Sequence, residues 1–234
     1  MSGRVRAWDS FDAYLFDIDG TLLHCRDAVH YFAFCDALTF IAGRALTLEG
    51  VTTHGNTDVG ILRDAWQRAG VPEDAWRPKL SEILQHMCAS VAAHENELCV
   101  EVMPQVRETL ATLRNRGAVL GVATGNIEKI GMAKLRRAGL LEFFSFAGWS
   151  DAFEWRADVY REAVRRARAL AGQTAAICAV GDTPADIRAA RENELQVIAV
   201  ATGIHSYEEL AAEGPDWCVR SLRELAFSTQ PLAA

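Results

Sequence analysis

The chain has 234 residues, half of them apolar, and carries 24 Lys and Arg against 31 Asp and Glu, a net charge of -7. This composition excludes an intrinsically disordered chain, because enough apolar surface is present to build a core. The negative charge disfavours binding to nucleic acid or to an anionic membrane, since like charges repel at long range. A small anion bound in a local positive pocket stays compatible with it.

The cysteines are scattered, and none forms a C-x-x-C pair with another. The spacing typical of a structural zinc site or a redox dithiol is therefore missing, and we expect reduced thiols. No uninterrupted apolar stretch of about 18 residues occurs, so we expect no transmembrane helix and a cytoplasmic location. The sequence leaves the oligomeric state open.

Five short apolar runs predict β-strands, at residues 13–17, 118–123, 143–148, 175–180 and 196–200. Helical stretches at 129–140, 158–172 and 185–194 alternate with the later runs. Such alternation predicts a parallel sheet with right-handed crossovers, and nearly continuous apolar strands indicate burial on both faces. We therefore expect an α/β fold with a doubly wound, Rossmann-like core.

The segment between the first two strands looks different, because it contains no comparable strand. Apolar residues spaced three and four apart predict helices at 30–43, 57–70 and 78–98. We expect an inserted helical cap domain over 24–99, a core domain formed by 1–23 and 100–234, and a return hinge near 99–104. A further helix over 103–117 should lead into the second strand, and the tail after Ala226 should be frayed.

Polar residues follow four of the predicted strands, where open α/β sheets bind their ligands. Each segment alone is also typical of an ordinary turn or helix start. Together they bring acidic groups, a hydroxyl and a cation to one edge of the sheet, which predicts a site there. The candidates in chain order are Asp17, Asp19, Thr124, Gly125, Asn126, Arg156, Asp182 and Asp186.

These segments resemble the four motifs of the haloacid dehalogenase-like hydrolase superfamily, which read D-x-D-G-T, Ser or Thr, Lys or Arg, and G-D-x-x-x-D. The resemblance covers residues 12–222 and includes a helical cap between the first two motifs. The cap segment His54-Gly55-Asn56-Thr57-Asp58 is similar to the G-x-T-D segment of the phosphoglycolate phosphatase branch. The resemblance implies a phosphatase that uses Mg²⁺.

Chemistry assigns a role to each carboxylate of the first motif. Asp17 is expected to attack phosphorus as the nucleophile and form an aspartyl phosphate. Asp19 is expected to protonate the departing alcohol and then to take a proton from the attacking water.

Crowded carboxylates and a phosphate dianion require a divalent cation, and all-oxygen ligands favour Mg²⁺. We expect the carboxylates of Asp17 and Asp182 to hold it, and the resemblance adds the backbone carbonyl of Asp19. Asp186 is expected to support these ligands or to cap a helix instead of binding the metal itself.

The phosphate should be bound by the Thr124 hydroxyl and by the backbone N–H groups of Gly125 and Asn126, in an anion-binding nest at the following helix start. Arg156 is expected to supply positive charge, although relatives often have Lys-Pro where this chain has Arg-Ala. Arg161 is the alternative cation.

Substrate choice is expected to rest with the cap loop, through His54, Asn56, Thr57 and Asp58. His24 stands where many relatives carry an acidic residue; we expect a linker position, with contact to substrate on cap closure as the alternative.

The leading expectation is a Mg²⁺-dependent hydrolase of a small phosphorylated metabolite. A phosphomutase of the β-phosphoglucomutase type would use the same Asp17 and Asp19, and a non-catalytic binding module is the alternative from another class. A dehalogenase is disfavoured, because a halide leaves without a proton and needs no metal. The natural substrate stays open among phosphoglycolate, sugar phosphates, nucleotides and pyrophosphate.

Overall fold

A computed structural model describes residues 6–227 of the chain. Its strands are β1 (Ala13–Phe16), β2 (Leu23–Cys25), β3 (Val100–Val102), β4 (Val119–Ala123), β5 (Phe146–Gly148), β6 (Ile177–Gly181), β7 (Gln196–Val200) and β8 (Trp217–Val219). Six of them form one parallel sheet in the order β5-β4-β1-β6-β7-β8. The predicted parallel sheet is confirmed.

The helices are α1 (Val29–Ala42), α2 (Asp58–Arg68), α3 (Glu73–Trp76), α4 (Leu80–Ala93), α5 (Val106–Asn115), α6 (Glu128–Arg137), α7 (Arg156–Ala171), α8 (Pro184–Glu192) and α9 (Tyr207–Ala212). The central strand β1 shows how they cover the sheet. Its residues Tyr14 and Phe16 join a buried cluster with α5 and α6, whereas Leu15 joins a second cluster with α7, α8 and α9. Helices thus bury both faces, as a doubly wound fold requires.

A third apolar cluster lies in the helical segment between β2 and β3. It brings together α1, α2 and α4 around Trp66 and Met87, and it includes Ile127 and Ile130 at the start of α6. The structure forms no strand between Arg26 and Cys99. The helical prediction for this segment is therefore correct, while its boundaries as a separate domain stay a prediction.

Where the helical segment leaves and rejoins the core, β2 and β3 pair as a two-stranded antiparallel ladder, with Leu23 opposite Val102 and Cys25 opposite Val100. The sequence predicted only a hinge here. Three-residue strands are too short to show a period, so neither strand could be recognised.

The remaining differences from prediction concern short elements. The strand predicted at 143–148 begins only at Phe146, because Leu141–Phe143 forms a 3₁₀ turn. Of the tail expected to fray, Phe227 packs on Trp8 with ring centroids 4.7 Å apart. The rest of the tail lies outside the described residues. All six cysteines are free thiols, and no helix within residues 6–227 has the length and apolarity to cross a membrane.

Candidate active site

The candidate site lies where the sheet order reverses around β1. Phe16, the last residue of β1, is level with Val122 of β4 on one side and Val180 of β6 on the other. The residues that follow these three strands therefore meet at one edge, around a cavity of about 320 Å³. Its lining includes the predicted residues Asp17, Asp19, Thr124, Gly125, Asn126, Arg156 and Asp182.

Three buried carboxylates form one cluster. An oxygen of each of Asp17, Asp182 and Asp186 lies within 4.8 Å of the others, and the three residues are 4%, 2% and 0% exposed. Burial raises the pKa of Asp182 well above its ordinary value, and the charges of Asp17 and Asp186 raise it further. Burial also raises the pKa of Asp17, against the opposing effect of Arg156. The cluster therefore favours a bound cation.

The hydrogen bonds distinguish possible ligands from a supporting residue. Each carboxylate oxygen of Asp186 already accepts two hydrogen bonds. Its Oδ1 accepts from Arg156 Nε at 2.7 Å and Tyr160 Oη at 2.8 Å, and its Oδ2 accepts from Thr183 N and Oγ1. Asp182 Oδ1 accepts from Thr21 Oγ1 at 2.9 Å. Asp17 Oδ1 has no donor in hydrogen-bond geometry among the described residues. Asp17 and Asp182 therefore fit a Mg²⁺ ion, whereas Asp186 caps α8 and orients its neighbours.

Gly20 provides the space that Asp182 occupies. Its φ is +86°, and a Cβ atom there would lie 2.2 Å from Asp182 Oδ2. We predict that Gly20→Ala displaces this carboxylate, so that the Mg²⁺ concentration for half-maximal activity rises about tenfold or more.

Gly117→Ala is the matched control, because Gly117 has a φ of +88° and a Cβ atom there would have no neighbour within 4 Å. Both variants carry the backbone strain, about 1–2 kcal/mol, but only Gly20→Ala moves the carboxylate. Thermal unfolding and a Mg²⁺ titration separate the two effects. Equal Mg²⁺ requirements in the two variants would show that Gly20 does not position Asp182.

Arg156 is the predicted third-motif cation that reaches the site. It is buried at the first turn of α7, and its Nη2 lies 2.8 Å from Asp17 Oδ1 and 2.7 Å from Asp186 Oδ1. The alternative, Arg161, pairs with Asp158 and is 66% exposed. The cation beside Asp17 is thus Arg156.

Asp19 has a different environment from Asp17. Its side chain lies outside the acidic cluster and accepts bonds from Lys134 Nζ, at 2.9 and 2.7 Å, and from Asn126 Nδ2 at 2.8 Å. Burial alone would raise its pKa, but the Lys134 ammonium and these hydrogen bonds lower the pKa of Asp19 below its ordinary value. The Asp19 side chain is thus bonded outside the acidic cluster, and the backbone carbonyl of Asp19 as a metal ligand stays what the family resemblance implies.

Sequence reasoning did not identify Lys134, whose side chain is only 3% exposed. Lys134 lies on α6 four residues after Ile130 and four before Ala138, both of which are buried. A lysine on the apolar face of a predicted helix was the available signal.

Fewer hydrogen-bond donors of the second motif are free to bind an anion than the sequence predicted. Thr124 lines the cavity, and its Oγ1 accepts from Asn126 Nδ2 at 2.8 Å. The N–H groups of the helix start are already bonded, Ile127 N to Asp58 Oδ2 at 2.9 Å and Glu128 N to Asp151 Oδ2 at 2.8 Å. Asn126 N also donates, to Thr124 Oγ1 at 3.3 Å, which leaves Gly125 N as the backbone donor that an anion could meet.

The cap loop rests directly on the second motif. Asp58 N donates to Gly125 O at 2.7 Å, and a Cβ atom on Gly125 would lie 2.1 Å from Asn56 O. His54, Asn56 and Asp58 line the cavity. Thr57, predicted with them, does not: it is buried as the N-cap of α2 and donates through Oγ1 to Glu154 O at 2.7 Å.

Glu154 joins the helical segment to the loop before Arg156. Its carboxylate pairs with Arg77 and, at 3.2 Å, with Arg63. The Arg63 guanidinium also lies 4.2 Å from the ring centroid of Trp155. These contacts hold the helical segment over the cavity on the side of Arg156.

His24 and Cys25 both line the cavity from β2. His24 is exposed and lies in the two-stranded ladder that joins the helical segment to the core. Burial raises the pKa of Cys25 to about 12, against the opposing charge of Lys134, so its thiol stays protonated and is no nucleophile.

A doubly wound sheet with an inserted helical segment, and buried carboxylates at its central switch point, defines an α/β enzyme. The chain belongs to the haloacid dehalogenase-like hydrolase family, whose model matches residues 11–193. It is a phosphatase of that family, in keeping with the names of its curated relatives.

One such relative is the phosphoglycolate phosphatase of Synechococcus elongatus, 28% identical over 91% of this chain and 94% of its own length. Pyrophosphatase PpaX of Anoxybacillus flavithermus is 27% identical over 92% and 95%. Among solved structures, a hydrolase from Pseudomonas syringae superposes with a TM-score of 0.65 at 18% identity, covering 92% of this chain and all of that one. That last likeness concerns the fold alone.

Proposed function

We propose that this phosphatase is a Mg²⁺-dependent phosphomonoesterase that hydrolyses a small phosphorylated metabolite of the cytoplasm through an aspartyl phosphate. The observation that carries the proposal is the contrast between two carboxylates lining one cavity. Asp17 belongs to the buried acidic cluster beside Arg156, whereas Asp19 is held by Lys134 and Asn126. Two carboxylates in separate environments can divide the work of nucleophile and proton carrier.

In the first half-reaction, an Asp17 carboxylate oxygen attacks phosphorus while the bond from phosphorus to the leaving oxygen breaks. Asp19 gives its proton to that oxygen, so the product is a neutral alcohol. The negative charge of the bound phosphate favours the protonated form of Asp19 that this step needs. Arg156, 2.8 Å from Asp17, orients the nucleophile, and the Thr124 hydroxyl donates to a phosphate oxygen.

In the second half-reaction, the Asp19 carboxylate takes a proton from water, and the water oxygen attacks phosphorus. The bond from phosphorus to Asp17 breaks, which regenerates the carboxylate and releases inorganic phosphate. Lys134 and Asn126 stabilise Asp19 in the charged form that accepts this proton. Held by Asp17, Asp182 and the Asp19 carbonyl, Mg²⁺ would neutralise the clustered negative charge.

Residues 24–99 act as a cap in this proposal, with His54 and Asp58 facing the leaving group. Asn56 also lines the cavity, but its side-chain amide is bonded to Thr52 O, Asp64 Oδ2 and Thr57 N. The cavity of about 320 Å³ is at the small end for ligand sites and suits a compact metabolite. Because the relatives' names include phosphoglycolate phosphatase and pyrophosphatase, phosphoglycolate and pyrophosphate come first in a substrate panel, followed by sugar phosphates and nucleotides.

The metal site is tested by phosphate release across this panel, with Mg²⁺ or EDTA. EDTA is expected to abolish release. Asp182→Asn is expected to raise the Mg²⁺ concentration for half-maximal activity by more than about 100-fold, because a ligand is lost. Asp186→Asn, which loses only a supporting residue, is expected to raise the same Mg²⁺ concentration by no more than about 10–100-fold.

Calorimetric titration with Mg²⁺ gives the same ordering without turnover, and Asp158→Asn, a change at an exposed ion pair, serves as the control. Release that persists in EDTA, or an Asp182→Asn variant with the wild-type Mg²⁺ requirement, would contradict the proposed metal site.

A further inference from the structure

One lysine connects the helical segment to the proton carrier. Lys134 Nζ lies 2.7 Å from Asp19 Oδ2, 2.8 Å from Asn126 Oδ1 and 3.1 Å from His30 Nδ1. His30 belongs to α1 of the helical segment, and its Nε2 lies 3.3 Å from Asp58 Oδ2. A polar path therefore runs from His30 through Lys134 to Asp19, and Asp58 lies beside the other ring nitrogen of His30 without a hydrogen bond to it.

The number of hydrogen-bond donors on the ammonium group limits which groups Lys134 can bind. The ammonium has three N–H donors and no acceptor, and four acceptor atoms surround it: both Asp19 carboxylate oxygens, Asn126 Oδ1 and His30 Nδ1. His30 Nδ1 must therefore accept, which places the ring proton on Nε2, facing Asp58. No donor of Lys134 is left over for a substrate anion.

Building on the proposed function, we propose that Lys134 is a positioning residue that holds the Asp19 carboxylate where it exchanges protons with the leaving oxygen and with water. His30 completes the lysine's hydrogen bonds from the helical segment, so seating of that segment over the cavity fixes Lys134 as well. Lys134 acts on the reaction only through Asp19.

The position of Lys134 explains why it is suited to this role. The Lys134 side chain is 3% exposed, whereas the Asp19 side chain is 42% exposed, and Asn126 also donates to it. Both carboxylate oxygens of Asp19 accept from the one ammonium, at 2.9 and 2.7 Å, which restricts the carboxylate plane. A buried cation thus orients a half-exposed acid.

The test compares two phosphate esters of similar shape whose leaving groups differ. Phenol, with a pKa of about 10 like that of tyrosine, needs a proton from Asp19, whereas 2,4-dinitrophenolate leaves as a stable anion. Lys134→Met is expected to lower kcat/KM for phenyl phosphate by about 100-fold or more, and for 2,4-dinitrophenyl phosphate by less than about tenfold. Lys129→Met, an exposed change on the same helix, is expected to alter neither.

A second comparison tests whether Lys134 acts through Asp19 even if the Lys134→Met variant fails to fold. Asp19→Asn and the double variant Asp19→Asn/Lys134→Met are expected to have kcat/KM values within about twofold of each other, because a residue acting through Asp19 has no further effect once Asp19 is replaced. The double variant removes both charges, so it leaves no unpaired buried ion.

A second readout is chemical rescue: ethylammonium is expected to restore turnover of phenyl phosphate by Lys134→Ala, and not by the same variant with Asp19→Asn. Two results would overturn the role of Lys134. One is an equal fall in kcat/KM for the two esters in Lys134→Met. The other is a kcat/KM of the double variant well below that of Asp19→Asn. Failure of the proposed function itself is distinguishable, because wild-type protein would then release no phosphate from either ester.

Discussion

Replacing Asp17 with asparagine is expected to lower kcat/KM for any phosphomonoester substrate by at least about 10⁴-fold while the protein stays folded. An amide oxygen is a poor nucleophile, so no phosphoenzyme can form at this position. Asparagine keeps the volume of Asp17, and Arg156 keeps its hydrogen bond to Asp186 at 2.7 Å. The free energy of unfolding should not fall, because one of three crowded carboxylates is removed.

The measurement pairs phosphate release with thermal unfolding, and Asp158→Asn provides the same chemical change on the protein surface. Asp158→Asn should match wild type in phosphate release, and its free energy of unfolding should fall by no more than about 1 kcal/mol, because an acid in the first turn of α7 is lost. Wild-type rates in folded Asp17→Asn protein would remove Asp17 from the mechanism.

Asp19→Asn is expected to lower kcat by about 10²–10⁴-fold, the range typical of losing a general acid and base. Asparagine can still accept from Lys134 and stay in place, but it can neither protonate the leaving oxygen nor take a proton from water. The two half-reactions should therefore separate according to the leaving group.

With 2,4-dinitrophenyl phosphate, which needs no proton to leave, this variant should give a burst of dinitrophenolate followed by slow turnover. Intact-mass spectrometry of the quenched protein should then show a phosphate adduct. Sustained turnover without a burst would show that Asp19 is not the proton carrier. An equal fall in the rate of the first half-reaction for phenyl phosphate and 2,4-dinitrophenyl phosphate would show the same.

The edge of the sheet that holds these residues was predictable, because parallel strands bring their carboxyl ends together whatever their order along the chain. Asp17, Thr124 and Asp182 each follow a strongly apolar run, so their convergence followed from the strand predictions alone. The choice between Arg156 and Arg161 needed the structure. The two residues are five positions apart on α7, and only the first lies beside Asp17.

The residues that sequence reasoning missed depend on contacts between distant segments. Lys134 reaches Asp19 across 115 positions and meets His30 across 104. A lysine on an apolar helix face indicates a buried partner without identifying it. The place of Thr57 likewise depends on a distant contact: it lies in the predicted cap segment, but its hydroxyl bonds with Gly60 N and Glu154 O, and Thr57 does not line the cavity.

Formation of an aspartyl phosphate at Asp17 is the central claim, and borohydride trapping tests it most directly. Protein quenched during turnover of 2,4-dinitrophenyl phosphate, with Asp19→Asn used to slow hydrolysis, is treated with borohydride, which reduces an acyl phosphate to an alcohol. Peptide mass spectrometry is predicted to find homoserine in place of Asp17 when Mg²⁺ and substrate are both present. No homoserine is expected when either Mg²⁺ or substrate is left out. Homoserine at another position, or none while phosphate is released, would contradict the account.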